Sequence, residues 1–387
     1  IDFRNTIGET PLHYLVQGHM PGIETIAHYL CQHGSYVDEK DAFGETALIH
    51  AARSGNLACV RTLVLDCGAH PDHHCKRMPV GHTRPHVNGG VALHAAAAAN
   101  HHGIVRFLLE NGANPMQKDA DGTTALMDAA TRGSIEVITT MMEYGVPTDA
   151  VDGDDFTALH FAVTNNQLDC VETLLSYGAN ADAIDKEGRS PAIYAAFDGF
   201  APIITMLFEI GAADPTTQDT DGENALHAAC VKGRTKALEV LLGNATPVTA
   251  IDQNGDLPLH IACANGFIEC VKLLVDYDDE SINVKNFFGR TPLGEARMGN
   301  HQEIVEYLGD NFDVEVHDWI EEGVLYNDEE LEDLASAALV PKRVLAENFL
   351  RRKVKQQTAE QAARGGVDGT LSAVDYGDYF NEMNAEA

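Results

Sequence analysis

The sequence predicts an all-α solenoid of stacked helix-turn-helix units, followed by a C-terminal helical extension. A motif of the form Gly-x-Thr-Pro/Ala-Leu-His recurs, as in Gly8-Glu9-Thr10-Pro11-Leu12-His13, Thr157-Ala158-Leu159-His160 and Leu257-Pro258-Leu259-His260. The residues in its histidine slot are His13, Ile49, His94, Met127, His160, Ile193, His227, His260 and Gly294; from His94 onward they lie 33 or 34 residues apart. Each copy carries apolar stretches of helical spacing that cannot hide their own apolar face, so neighbours stack into a one-dimensional array.

Within a unit each position has a physical reason. Thr caps the first helix through its hydroxyl, and Pro or Ala fills the first turn. Paired alanines (Ala51-Ala52, Ala129-Ala130, Ala195-Ala196, Ala228-Ala229) allow close helix stacking. Apolar residues such as Val171, Leu174 and Leu175 fill the core from the second helix, and glycines at 34, 68, 112, 145, 178 and 211 are expected to end that helix in a left-handed turn. With the polar turn Asn165-Asn166 and the ending Gly178-Ala179-Asn180, the unit resembles the ankyrin repeat, over residues 1–309. The resemblance implies a solenoid with β-hairpin fingers, slot histidines that hydrogen-bond backbone between adjacent units, and recognition of proteins on the concave face of fingers and first helices.

Departures from the pattern locate special features. The 13-to-49 spacing is 36, with the excess near Gly18-His19-Met20-Pro21-Gly22, and the 49-to-94 spacing is 45, with an insertion at about 70–89. Asp155 stands where a fingertip glycine is expected, so that finger must strain or open. The last unit, with Gly294, Glu295, Arg297, Gln302 and Glu303, is polar as a terminal cap requires. Beyond it, residues 310–366 read as a helical extension with a stripe through Leu345, Phe349 and Val354, and 367–387 as an acidic aromatic tail.

The chain of 387 residues carries 26 Lys+Arg against 59 Asp+Glu, a formal charge of −33. That balance repels phosphate backbones and anionic lipid, so nucleic acid and membrane surfaces are poor partners, no nucleic acid and no membrane insertion is expected, and basic or mixed basic–apolar protein surfaces are favoured. No run approaches the ~20 apolar residues of a membrane helix. The chain opens on Ile1-Asp2-Phe3-Arg4 without initiator Met or signal segment and reads as trimmed upstream. Eight thinly spread cysteines look like reduced thiols, which favours a cytoplasmic or other reducing intracellular compartment, cytoskeletal structures included.

Chemistry is sparse. Phosphate-binding, dinucleotide, zinc-protease and nucleophile-elbow motifs are absent, so no enzyme and no cofactor is expected. The insertion offers Cys75, His82 and His86 as metal-ligating candidates, set against a flexible histidine-rich loop, and no metal is expected. Asp72-His73-His74-Cys75 spells the tetrapeptide of the DHHC palmitoyltransferases, but their membrane helices and Cys-x-x-Cys pairs are missing. The predicted partner-binding residues lie on the fingers: Phe43, Asp121, Asp154, Phe156, Glu187, Arg189, Asp221, Asp256, Phe288 and Arg290, acids interspersed with exposed phenylalanines. Trp319, Phe349, Tyr376, Tyr379 and Phe380 are added as anchors of the C-terminal segment. The expected function is a non-enzymatic interaction scaffold or structural subunit of a multi-protein assembly. The alternative is a ubiquitin-ligase substrate adaptor docking through 328–364.

Overall fold

The computed structural model describes residues 3–18, 20–75, 89–312 and 314. Residues 1–285 and 290–315 form one compact unit; Asn286–Gly289 belong to a second, whose other residues lie outside the described ones. The predicted helical extension beyond 314, the tail, the 328–364 docking segment and the candidates His82, His86, Trp319, Phe349, Tyr376, Tyr379 and Phe380 also fall outside them.

Among the described residues eighteen α-helices form nine pairs, with no strand. In order they are α1 (Pro11–Val16) and α2 (Ile23–Gln32), α3 (Ala47–Ser54) and α4 (Leu57–Arg61), α5 (Ala92–Ala98) and α6 (His102–Glu110), α7 (Ala125–Arg132) and α8 (Ile135–Glu143), α9 (Ala158–Thr164) and α10 (Leu168–Ser176). There follow α11 (Pro191–Asp198) and α12 (Ala201–Glu209), α13 (Ala225–Lys232) and α14 (Thr235–Gly243), α15 (Pro258–Asn265) and α16 (Ile268–Tyr277), α17 (Pro292–Met298) and α18 (Gln302–Asn311). First helices pack on first helices of the adjacent units and second on second. No helix among the described residues is long and apolar enough to cross a membrane.

The core follows the motif. Leu12, Leu48, Leu93, Leu126, Leu159, Leu226, Leu259 and Leu293 occupy one slot, each at most 2% exposed. Each contributes about 1.5–3 kcal/mol by burial. Capping is by side chain at Thr46, Thr157, Thr291 and Asn224, and Pro stands at the start of α1, α11, α15 and α17.

The histidine slot fastens unit to unit. Nδ1 of His13, His94, His160, His227 and His260 accepts the backbone N–H three residues earlier at 3.1–3.3 Å. Nε2 then donates to a carbonyl of the next unit: Glu45, Thr123, Arg189, Asp256 and Arg290, at 3.0–3.3 Å. The neutral ring satisfies both ends, and burial holds these imidazoles below their ordinary pKa, His94 and His260 down to about 4. Ile49 and Ile193 fill the slot by packing instead, and the Met127 sulfur still accepts the Thr124 N–H at 3.3 Å.

One backbone expectation is corrected, and the strain expected at Asp155 is present. Gly211 does not take the left-handed turn; Ala212 does, at φ +50°. The 34-residue spacing there adds one residue to the helix end, so that Ala213 N–H reaches back six residues to Leu207 O. Asp155 keeps its finger closed by adopting φ +64°.

Candidate functional site

Six fingers are each built on one aspartate, and Asn5 and Asn286 stand in its place in the first and last. Oδ1 of Asp41, Asp119, Asp152, Asp185, Asp219 and Asp252 accepts the backbone N–H groups of the residues two and four later, at 2.7–3.0 Å. The same aspartate's N–H donates to the carbonyl four later, closing the hairpin. The fingers therefore need no strand, and only isolated bridges, Lys40 to Thr46 and Lys118 to Thr124, occur among the described residues. Sequence reading named the residues around the glycine and missed this aspartate three positions before it, although Asp-x-x-Gly repeats at 41, 119, 185, 219 and 252.

This turn aims side chains. The tips, Asp121, Asp154, Glu187 and Asp221, are exposed. The residue four after the aspartate turns toward the first helix, where it meets the residue five further on. Glu45 Oε2 lies 3.3 Å from His50 Nε2, and the rings of Phe156 and Phe161 are 5.6 Å apart. The Arg189 guanidinium covers Tyr194 at 5.0 Å, and Arg290 pairs with Glu295 at 3.1 Å. The offset of five was legible; its meaning was not, and the first-helix partners His50, Asp128, Phe161, Tyr194 and Glu295 were missed.

The predicted residues therefore divide. Phe43 is half-buried and packed against the core, and Phe156 is half-buried against Phe161, His160 and Tyr194. Arg189 is already engaged by Asp185 and Glu187. Asp256 and Arg290 are half-buried. The exposure expected of Phe288 is corrected: its side chain is 8% exposed and its N–H is held by Asn286 Oδ1, so it offers no free anchor.

Charge on this face is crowded. Burial beside Asp219, Asp252 and Asp221 pushes Glu223 up to about 7, and burial beside Asp119 pushes Asp128 up to about 8 against the pull of Arg132. Asp185 goes the other way: burial would raise it, but bonds from the Tyr194 hydroxyl at 2.5 Å and from Arg189 hold it below the usual carboxylate range.

The tetrapeptide at 72–75 is stitched into the array. Asp72 accepts Asn114 N–H at 3.1 Å, His73 lies 3.2 Å from Asp38, and His74 donates to Gly89 O at 2.8 Å while accepting from Gln117. Cys75 is buried, and burial raises its thiol to about 11, leaving it protonated and a poor nucleophile or ligand at neutral pH.

Comparison with known proteins agrees with this architecture. Over 120 residues, 31% of this chain, it is 33% identical to the inactive serine/threonine-protein kinase TEX14 of Bos taurus, covering 7% of that protein. Over 114 residues, 30% of the chain, it is 32% identical to NF-kappa-B inhibitor alpha of Rattus norvegicus, covering 33% of it. The chain thus spans no more than a third of either relative. The family model described as ankyrin repeats matches residues 1–75, 93–185, 142–219, 159–252 and 244–318. With nine helix pairs among the described residues, fingers founded on Asp or Asn and a histidine ladder, the chain belongs to the ankyrin-repeat family.

Proposed function

We propose that this chain is a non-enzymatic protein-interaction scaffold whose finger and first-helix face takes a partner with a basic or mixed basic–apolar surface. The supporting observation is an aromatic group, Phe156, Phe161 and Tyr194, framed by the exposed acids Asp121, Asp154, Glu187 and Asp221 and by the crowded carboxyls of Asp128 and Glu223. Carboxyls that hold protons near neutrality because they are buried, with other carboxylates beside them, gain from an arriving cation. Relatives named as an inhibitor and as an inactive kinase agree with a binding role. Eight free cysteines support a reducing intracellular setting. Trp319, Phe349, Tyr376, Tyr379 and Phe380 are proposed as further anchors within a multi-protein complex.

The test neutralises the tips. A partner recovered by affinity capture is measured against the wild type and a variant carrying Asp121→Asn, Asp154→Asn, Glu187→Gln and Asp221→Asn. Slower association and a flatter salt dependence are expected, because steering is screened over ~8 Å at physiological ionic strength. Unchanged rate and salt slope overturn the assignment of this face.

A further inference from the structure

Along the finger and first-helix face some acids are answered from within the array and two are not. The residue four after the founding Asp or Asn is a glutamate in three units: Glu9, Glu45 and Glu223. Glu9 accepts from the Gln17 amide at 2.9 Å, and Glu45 takes the Arg53 guanidinium at 3.0 Å with His50 3.3 Å away. Those partners stand five and eight residues beyond their glutamate. The same offsets from Glu223 lead to Ala228 and Val231, which have nothing to donate. Its half-buried carboxyl makes no side-chain hydrogen bond or ion pair among the described residues. In the fourth unit the unanswered acid stands on the helix instead. Asp128, five beyond Thr123, is half-buried and likewise has no such partner among the described residues.

A carboxylate drawn partly out of water without a donor is unfavourable, and a cationic donor removes that cost while adding a charge-assisted bond. Between these two acids runs an aromatic surface. Asp128, Phe161, Tyr194 and Ala228 hold one position in four successive first helices, α7, α9, α11 and α13, which pack in that order. The Phe156 ring lies 5.6 Å from Phe161 and 5.4 Å from Tyr194. Rings in this region already carry the chain's own cations: Arg189 sits over Tyr194 at 5.0 Å and Lys232 over Phe197 at 4.9 Å. Packed helix axes lie ~8–10 Å apart, so three steps put the two carboxyls roughly 24–30 Å from each other. An extended chain rising ~3.3 Å per residue crosses that span in roughly seven to nine residues. An α-helix needs roughly sixteen to twenty, ordering about twice as many residues for the same two contacts.

We propose, resting on the assignment of this face to a partner, that its occupant is an extended protein segment with two basic residues about eight positions apart and an apolar residue midway. One cation bonds Asp128, the other bonds Glu223 above Ala228, and the apolar side chain lies on Phe156, Phe161 and Tyr194. The tips Asp121, Asp154, Glu187 and Asp221 attract the segment, and the two unanswered acids set its register.

The experiment titrates the whole chain into fluorescein-labelled synthetic peptides at low salt and reads fluorescence polarisation. The first peptide has arginine at both ends of about nine residues, with phenylalanine midway in a Gly/Ser background. The second has the same composition with the arginines adjacent, and the third is a helix former with arginines about eighteen residues apart. The first binds at least about tenfold tighter than the others, the effect of one charge-assisted hydrogen bond. Asp128→Asn and Glu223→Gln, which keep side-chain volume, each bring it down to the second peptide's level. The variant neutralised at Asp121, Asp154, Glu187 and Asp221 slows association of all three and leaves their ranking intact. No binding of the first peptide, equal binding of all three, tighter binding of the helical one, or unchanged binding in both single variants overturns the proposal. If the tip variant still slows association in that case, the face stands and the register alone falls.

Discussion

Asp155 offers a measurement of fingertip strain inside one molecule. At eight other tips the residue is glycine, with φ between +74° and +84°; Asp155 does the same work at +64° with a side chain attached. An L-residue in that region costs about 1–2 kcal/mol, somewhat less for aspartate. The next finger adds crowding, because a Cβ on Gly122 would stand 2.7 Å from Gly153 N and one on Gly188 3.0 Å from Thr220 N. Consistent with this, the finger-to-finger bond from Lys186 N–H to Asp154 O is 3.2 Å, the longest of the series, against 2.7–3.0 Å for Ala42, Gly153, Thr220 and Gln253. Glycine's greater freedom in the unfolded chain takes back roughly 0.5–1 kcal/mol. Asp155→Gly should therefore stabilise the array by about 0.5–1 kcal/mol. Urea unfolding followed by far-ultraviolet circular dichroism at pH 7 reads this as a higher midpoint at unchanged slope. Asp155→Ala, which removes the carboxylate and keeps the Cβ, separates strain from charge and should gain nothing. A stabilisation by Asp155→Ala equal to that of Asp155→Gly would refute the backbone argument in favour of repulsion among Asp152, Asp154 and Asp155.

Other consequences follow from the same geometry. His94 and His260 have folded pKa values of about 4, below the unfolded value, so their contribution is complete above about pH 6.5 and is lost as pH falls toward 4. Each should cost about 2 kcal/mol between pH 7 and pH 5, and His94→Gln should flatten that limb in urea melts. Asp128 has the opposite sign: its folded pKa near 8 lies above the unfolded value, so stability is lost as pH rises toward 8, and Asp128→Asn should stabilise the array at pH 8 but not at pH 4. If a basic partner docks on the finger face, binding near pH 7 should release protons from Asp128 and Glu223, seen calorimetrically as a dependence on buffer ionisation enthalpy; no dependence would place the partner elsewhere. Gly233→Ala puts a Cβ 2.4 Å from the Phe267 ring at φ +65° and should destabilise by about 2 kcal/mol or more; a neutral result would mean that the ring swings aside.

Architecture was legible in the sequence because its determinants are local and repeated. A cap, a small-residue pair, a helix stop and a histidine slot each act within a few residues, and nine copies, the last seven at a period of 33 or 34, point to a stacked array. The same locality placed Asp121, Asp154, Glu187 and Asp221 at exposed tips. The tertiary structure decided which side chains meet. Phe156 lies against Tyr194, Arg189 is already held by Asp185 and Glu187, and Phe288 is buried, although all three read in sequence as candidate binding residues. Glu45 is answered by His50 and Arg53 only because the finger folds back onto its own helix at the angle the founding aspartate sets, and the same fold leaves Glu223 without a partner. Composition and period specify that the units stack. The contacts between them depend on turn geometry and on side-chain reach across the stack, quantities that exist only once the neighbouring unit is in place.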